Sequence, residues 1–265
     1  MRYKERMTGT LTHVAPAPTR ARRLLRAGLY ALVVGAVLFG VGFLIRSRWQ
    51  PLMSLDDELI ERATAVTRPN PGARDVLIFW QELTQPIKLY TVGTLVCLWV
   101  WLVKGLRTRA WWAFGTMMLA WMIGLGAKYL FQRARPLVED PVSEAPGYSF
   151  PSGHALNSAA WATILVILLW PVVRSRLGHA VMVVLAVAFV LMTALDRVYL
   201  GVHYPSDVTV GVLTGVGLAL ASYAGYSGWN PPHPTHAHDP DDPEHPEFVD
   251  DAGPRRTSAP TPKEN

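Results

Sequence analysis

The chain has 265 residues, a formal net charge of +5 and a sequence pI near 9.5, with 50% hydrophobic and only 17% charged residues. A soluble domain carries about a quarter charged residues, and a lone Cys97 excludes both an intramolecular disulfide framework and a cysteine-based zinc site. The basic balance does not indicate a nucleic-acid binder, because residues 227–265 hold −5, the first 226 hold +10, and those charges stand between long uncharged stretches.

Residues 1–26 form a basic N-terminal segment that includes Arg20, Arg22, Arg23 and Arg26. Uncharged runs follow at 27–45, 110–127, 155–173, 177–195 and 208–226, each 18 or 19 residues long. A spanning helix needs about 20 apolar residues. Residues 89–103 give a sixth, shorter run, preceded by Pro86, Ile87 and Lys88, and Lys88 can snorkel to the interface. The first run ends in Ile45-Arg46-Ser47-Arg48, a poor cleavage site, and reads as a retained anchor. The expected fold is all-α: a polytopic membrane domain of six transmembrane helices over 27–226.

Loop charges set the expected orientation. With six spans, the N-terminus, the 104–109 loop, the 174–176 loop and the C-terminus share one side. That side holds twelve basic residues, and Glu5 is its only acidic residue before the tail. Positive charge favours the cytoplasm, so both termini are expected inside and the segments 46–85, 128–154 and 196–207 outside.

Between the first two spans, residues 54–67 suit a short amphipathic helix on the outer surface. Ser54 is its expected cap, and Asp56, Asp57 and Glu58 favour its first turn. Arg68-Pro69-Asn70-Pro71-Gly72 should end it. The last segment, 227–265, has nine prolines and few apolar residues, a composition expected to stay disordered. His233, His236, His238 and His245 lie there among acidic residues, so a transition-metal site is conceivable, though a solvated tail is the plainer expectation.

Three polar clusters stand at the outer ends of spans. In the first, Lys128 and Arg135 are seven residues apart, close to two helical turns, with Pro136 as the expected helix end. Two cations on one helix face suit an anion with several oxygens; snorkelling is the ordinary alternative. In the second, Ser152 can cap the span that follows, Gly153 lets an anion approach the backbone, and His154 can donate a proton. In the third, Pro205 suits the first position of the last helix, which lets Asp207 reach back to His203 and prepare it as a base or nucleophile. Arg197 adds a third cation. Together the clusters match phosphoryl transfer, where catalysis is mainly positioning and charge stabilisation.

Lys128-x6-Arg135-Pro136, Pro151-Ser152-Gly153-His154 and Arg197-x5-His203-x3-Asp207 resemble the three motifs of the type 2 phosphatidic acid phosphatase superfamily. That superfamily holds integral-membrane lipid phosphatases and vanadium haloperoxidases. The resemblance covers 86–226 as architecture and 128–207 as motif. It implies that His203 attacks phosphorus to form a phosphohistidine, that Asp207 orients His203, and that His154 protonates the leaving oxygen and then helps to activate water. Lys128, Arg135, Arg197, Ser152 and the Gly153 amide would hold the phosphoryl oxygens. No metal and no cofactor are implied. The expected partner is a lipid phosphate such as phosphatidic acid, phosphatidylglycerol phosphate or undecaprenyl diphosphate, with no nucleic acid. The sequence departs from the family pattern at Asp196, where Ser is usual; an acid there could pair with Arg197 or weaken phosphate binding. Vanadate-dependent halide oxidation, and lipid-phosphate binding or transport without catalysis, are the competing expectations. Trp80, Tyr129 and Phe131 are candidates for a lipid entry, and Cys97 for a small buried apolar residue.

Overall fold

Among the described residues, four helices have proline in the first turn. Pro51, Pro71, Pro86 and Pro205 each stand in a first turn, where a missing N–H costs no helical hydrogen bond. The computed structural model describes residues 19–136 and 147–227. Among these the secondary structure is α-helical: α1 (Arg20–Arg46), α2 (Gln50–Thr67), α3 (Pro71–Leu83), α4 (Pro86–Leu102), α5 (Arg107–Phe131), α6 (Gly153–Leu169), α7 (Arg176–Tyr199) and α8 (Pro205–Tyr226). The histidines of the tail and the basic residues before Thr19 lie outside the described residues.

α1, α5, α7 and α8 are long and apolar enough to cross a membrane. α4 and α6 are apolar but have 17 residues each, about 26 Å at the helical rise. The expected span at 155–173 is therefore shorter than its uncharged run. The apolar windows of α1 and α7 are only 17% and 11% buried. Leu25, Phe43, Leu177, Val184 and Leu185 on these helices point away from the protein. Helices with apolar outer faces suit a lipid surround, and the protein is a membrane protein.

α6 sits at the centre, packed against α4, α5, α7 and α8. Its Leu156, Ala159, Ile164 and Leu168 are fully buried. The contact with α8 depends on Gly211 and Gly215, which the i,i+4 spacing puts on one face. A Cβ at Gly215 would stand 2.3 Å from the Leu156 carbonyl oxygen, and one at Gly211 2.9 Å from that of Ser152. Small residues at this spacing let two backbones close together. As a result, the first turns of α6 and α8, which carry the second and third polar clusters, are pressed against each other.

Three local expectations change. α2 begins at Gln50, not Ser54, and the Ser54 hydroxyl donates back to the Gln50 carbonyl at 2.9 Å inside the helix. α2 also packs on α7 and α8, burying Asp56, Ile60, Thr64 and Thr67, rather than only lying on an outer surface. The stretch after it does end α2 at Thr67, as expected, and Pro71 then opens α3. Finally, Lys128 and Arg135 do not share a helix face: Gln132 turns left-handed (φ 50°), α5 stops at Phe131, and Arg133–Pro136 run on without helix. Pro136 is therefore not what ends the helix. Cys97 is buried and free, as expected.

Candidate active site

His203 leaves α7 through a tight turn. Gly201 takes φ 72°, a region that favours glycine, and the amides of Val202 and His203 both reach the Arg197 carbonyl at 3.3 Å. The ring that results is almost wholly buried. Its two nitrogens face different chemistry. Nε2 is 3.2 Å from Arg135 Nη1, and a guanidinium can only donate, so Nε2 accepts and the ring proton belongs on Nδ1. Nδ1 lies 3.5 Å from Asp207 Oδ2 and 3.3 Å from Ser149 Oγ. The Ser149 hydroxyl donates to the same Asp207 oxygen. Asp207 thus faces His203 as expected, but with Ser149 bridging the two.

Asp207 is the third residue of α8, and its Oδ2 also accepts the Tyr204 amide at 3.1 Å. Arg133 Nη1 donates to Oδ1 at 2.6 Å. Burial pushes the His203 ring down to about 4, ahead of the opposing pull of Asp207, so it is neutral well into the acid range. Burial also pushes Arg135 down, with Arg197 adding to the effect against Asp207.

The phosphate-binding candidates gather around this ring. Ser152 caps α6, its Oγ 3.5 Å from the Ala155 amide, and its own amide donates to the Asp207 carbonyl at 3.0 Å. This backbone bond ties the second cluster to the third. A Cβ at Gly153 would meet Lys128 Cε at 3.5 Å, so the Lys128 chain passes directly over the glycine. Lys128 Nζ donates to the Tyr148 carbonyl at 2.6 Å. Arg135 donates to the carbonyls of Gly147 and Val202 at 3.0 and 2.7 Å. His154 lies within electrostatic reach of Arg197, His203, Lys128 and Arg135. Its Nε2 is buried and meets no hydrogen-bond partner among the described residues.

Arg197 is fully buried. Its Nε donates to Asp196 Oδ2 at 2.8 Å and Nη2 to the same oxygen, while Nη1 donates to Gln81 Oε1 at 3.0 Å. Asp196 therefore pairs with Arg197, and part of the guanidinium charge is already answered.

Four residues escaped sequence inspection: Asp56, Gln81, Arg133 and Ser149. Asp56 passes for one of three helix-start acids, Gln81 for an ordinary polar residue, and Ser149 for a neighbour of the capping serine. Arg133 carried a signal, since it lies two residues before Arg135 in the same basic cluster. Of the lipid-entry candidates, Phe131 is a core residue packed edge-on against Phe150, Tyr129 is exposed against Tyr148, and Trp80 lines a cavity. No cluster of His, Cys, Asp and Glu suited to a metal is present among the described residues.

Residues 109–231 match the PAP2 superfamily, a stretch that includes every one of the three clusters. Among the relatives, the decaprenylphosphoryl-5-phosphoribose phosphatase of Mycobacterium tuberculosis (strain H37Rv) is 36% identical over 113 residues, which is 41% of this chain and 57% of that protein. Phosphatidylglycerophosphatase B of Escherichia coli (strain K12) is 40% identical over 67 residues, 25% of this chain and 24% of that one. The chain thus spans about half the length of the first relative and a quarter of the second. The crystal structure of a transmembrane PAP2 type phosphatidylglycerolphosphate phosphatase from Bacillus subtilis superimposes with a TM-score of 0.65 at 19% identity, covering 74% of this chain and 97% of that one. The PAP2 fold is shared with that transmembrane protein.

Proposed function

We propose that the protein is a membrane phosphatase that hydrolyses the phosphomonoester or diphosphate of a lipid through a phosphohistidine on His203. The observation that carries this reading is the two-sided environment of His203: a carboxylate and a hydroxyl on Nδ1, and Arg135 on Nε2. Such a ring keeps its lone pair on the nitrogen that faces the anion-binding groups.

In the first step, His203 Nε2 bonds to phosphorus, the P–O bond to the lipid breaks, and His154 gives its proton to the leaving oxygen. Asp207 and Ser149 hold the Nδ1 proton as the ring becomes cationic. In the second step water attacks the phosphohistidine, His154 takes the water proton, and phosphate leaves with the N–P electrons returned to Nε2. Lys128, Arg135, Arg197, the Ser152 side chain and the Gly153 amide receive the negative charge on the phosphoryl oxygens, fixed in place before the reaction.

A lipid substrate fits the surroundings. A cavity of about 460 Å³ between α3, α6 and α7 is lined by Trp80, Trp161, Leu165, Met182, Phe189 and Met192. Trp80 adjoins Gln81, whose side chain accepts from Arg197, so apolar space begins one residue from the partner of a candidate phosphate-binding cation. By the charge of the connecting segments, α1, α4, α5, α6, α7 and α8 are six spans, the termini face the cytoplasm and the site faces outward, where it meets headgroups of the outer leaflet. The basic segment 1–26 and the tail 227–265 flank a membrane domain at 27–226. The names of the relatives support a lipid carrying a phosphate on a prenyl-linked sugar or on glycerol.

The test is phosphate release from a panel of lipid mono- and diphosphates in detergent without added metal. The wild type is expected to turn over at least one of them, and His203→Ala none. Turnover retained by His203→Ala overturns the assignment.

A further inference from the structure

Asp56 comes from α2, outside all three motif clusters, yet it is buried against the start of α8. Its Oδ1 accepts the Ser206 amide at 3.0 Å, and its Oδ2 accepts the Ser206 hydroxyl. Ser206 is the second residue of α8, so a carboxylate from a distant helix caps the first turn that carries Asp207. The same Oδ2 receives Arg133 Nη2 at 2.7 Å, and Arg133 Nη1 divides its two protons between Asp207 Oδ1 and Ser206 Oγ, at 2.6 and 2.8 Å. The guanidinium lies 4.0 Å above the Tyr204 ring. Asp56, Arg133 and Asp207 are 2%, 7% and 0% exposed, so water does not screen them.

This is more than a tether. Arg133 paired with Asp207 alone would cancel the charge that supports His203. A second carboxylate on the far side of Arg133 draws part of its positive charge away. The three groups carry net −1 next to the imidazole. We infer that Asp56 and Arg133 are positioning residues for phosphoryl transfer, forming a charge-balanced brace that sets both the orientation of Asp207 and the basicity of His203. Neither touches the phosphoryl group. The role in turnover rests on the phosphatase reading; the effect on His203 does not.

The other charged and titratable groups facing His203 are Lys128 on α5, Arg135 after it, His154 on α6 and Arg197 on α7, all left intact by the test. The full-length chain in detergent, labelled with nitrogen-15 histidine, reports the His203 titration by NMR, with the signal assigned by its loss in His203→Asn. Arg133→Gln leaves two carboxylates together and is expected to move the His203 midpoint up. Asp56→Asn leaves Arg133 wholly on Asp207 and moves it down. The double variant Asp56→Asn/Arg133→Gln restores net −1 and returns the midpoint towards wild type; it removes Asp56 and its cation together and leaves Asp207 as the one buried charge, still bonded by the Ser149 hydroxyl and the Tyr204 amide, so it serves where a single variant does not fold. In phosphate release, each single variant is expected to lower kcat about 10–100-fold with KM unchanged, the scale of a displaced catalytic group.

Midpoints that move the same way in both single variants, or a double variant with its midpoint displaced from wild type, overturn the brace. Opposite shifts in a protein that releases no phosphate from any lipid support the brace and overturn the phosphatase reading alone.

Discussion

Two buried arginine–aspartate groups flank the candidate nucleophile, and they are built differently. At the start of α8, Arg133 stands between two carboxylates, and every oxygen of both is hydrogen-bonded. At the end of α7, Arg197 has one carboxylate, Asp196, whose Oδ1 meets no partner among the described residues, plus the neutral amide of Gln81. The first group is negative overall and fully satisfied; the second is neutral and incompletely satisfied. A buried ion network adds rigidity only when all of its members are paired. The first is therefore suited to fixing geometry, whereas the second keeps an arginine that still has N–H groups to offer. Burial weighs against the charge of Arg133, but Asp207 and Asp56 together outweigh it and push it up.

The largest effect that would test this division is on Arg197. Arg197→Ala is expected to lower kcat for lipid phosphate about 100–1,000-fold, the usual cost of removing one transition-state donor. A loss confined to KM would show that Arg197 only binds, and would erase the contrast with Arg133. The next effect lies in the pH profile. His203 is held at about 4 by burial, against an ordinary 6.5, and the proposed reaction needs it neutral. The acid limb of kcat/KM is expected to stay flat as pH falls through 6.5 and to drop only near 4. The same depression costs stability in this window: the unfolded chain binds a proton at His203 below about 6.5 that the folded chain refuses until about 4, so stability is lost as pH drops from 6.5 to 4. An acid limb at 6.5 would mean that the negative cluster dominates burial. The smallest effect is at Asp196. Asp196→Ser releases Arg197 from its pair and is expected to lower KM several-fold for a phosphate dianion with a small change in kcat. An unchanged KM would show that the neighbouring carboxylate does not restrain the cation.

The spacing of apolar runs made the helical membrane fold legible, and the three polar clusters singled out Lys128, Arg135, Ser152, Gly153, His154, Arg197, His203 and Asp207, which the fold gathers around the His203 ring. What escaped is long-range. Arg133 meets Asp56 across 77 positions and Asp207 across 74, while Gln81 meets Arg197 across 116. No local pattern encodes such pairs, and a buried carboxylate on an amphipathic helix looks the same in sequence as a solvated one. Helical periodicity also failed at Lys128 and Arg135, because one left-handed residue, Gln132, outweighs a seven-residue spacing. Arg135 then reaches His203 from an extended segment, closer than a shared helix face would have brought it.

The glycine contact between α6 and α8 has a mechanical consequence. Ser152–His154 and His203–Asp207 ride on two backbones in direct contact, joined by the Ser152 amide and the Asp207 carbonyl. α1 and α7, by contrast, present most of their apolar faces outward. A change in bilayer thickness or lateral pressure therefore strains the periphery first, and the distance between His154 and His203 is insulated from the surrounding bilayer.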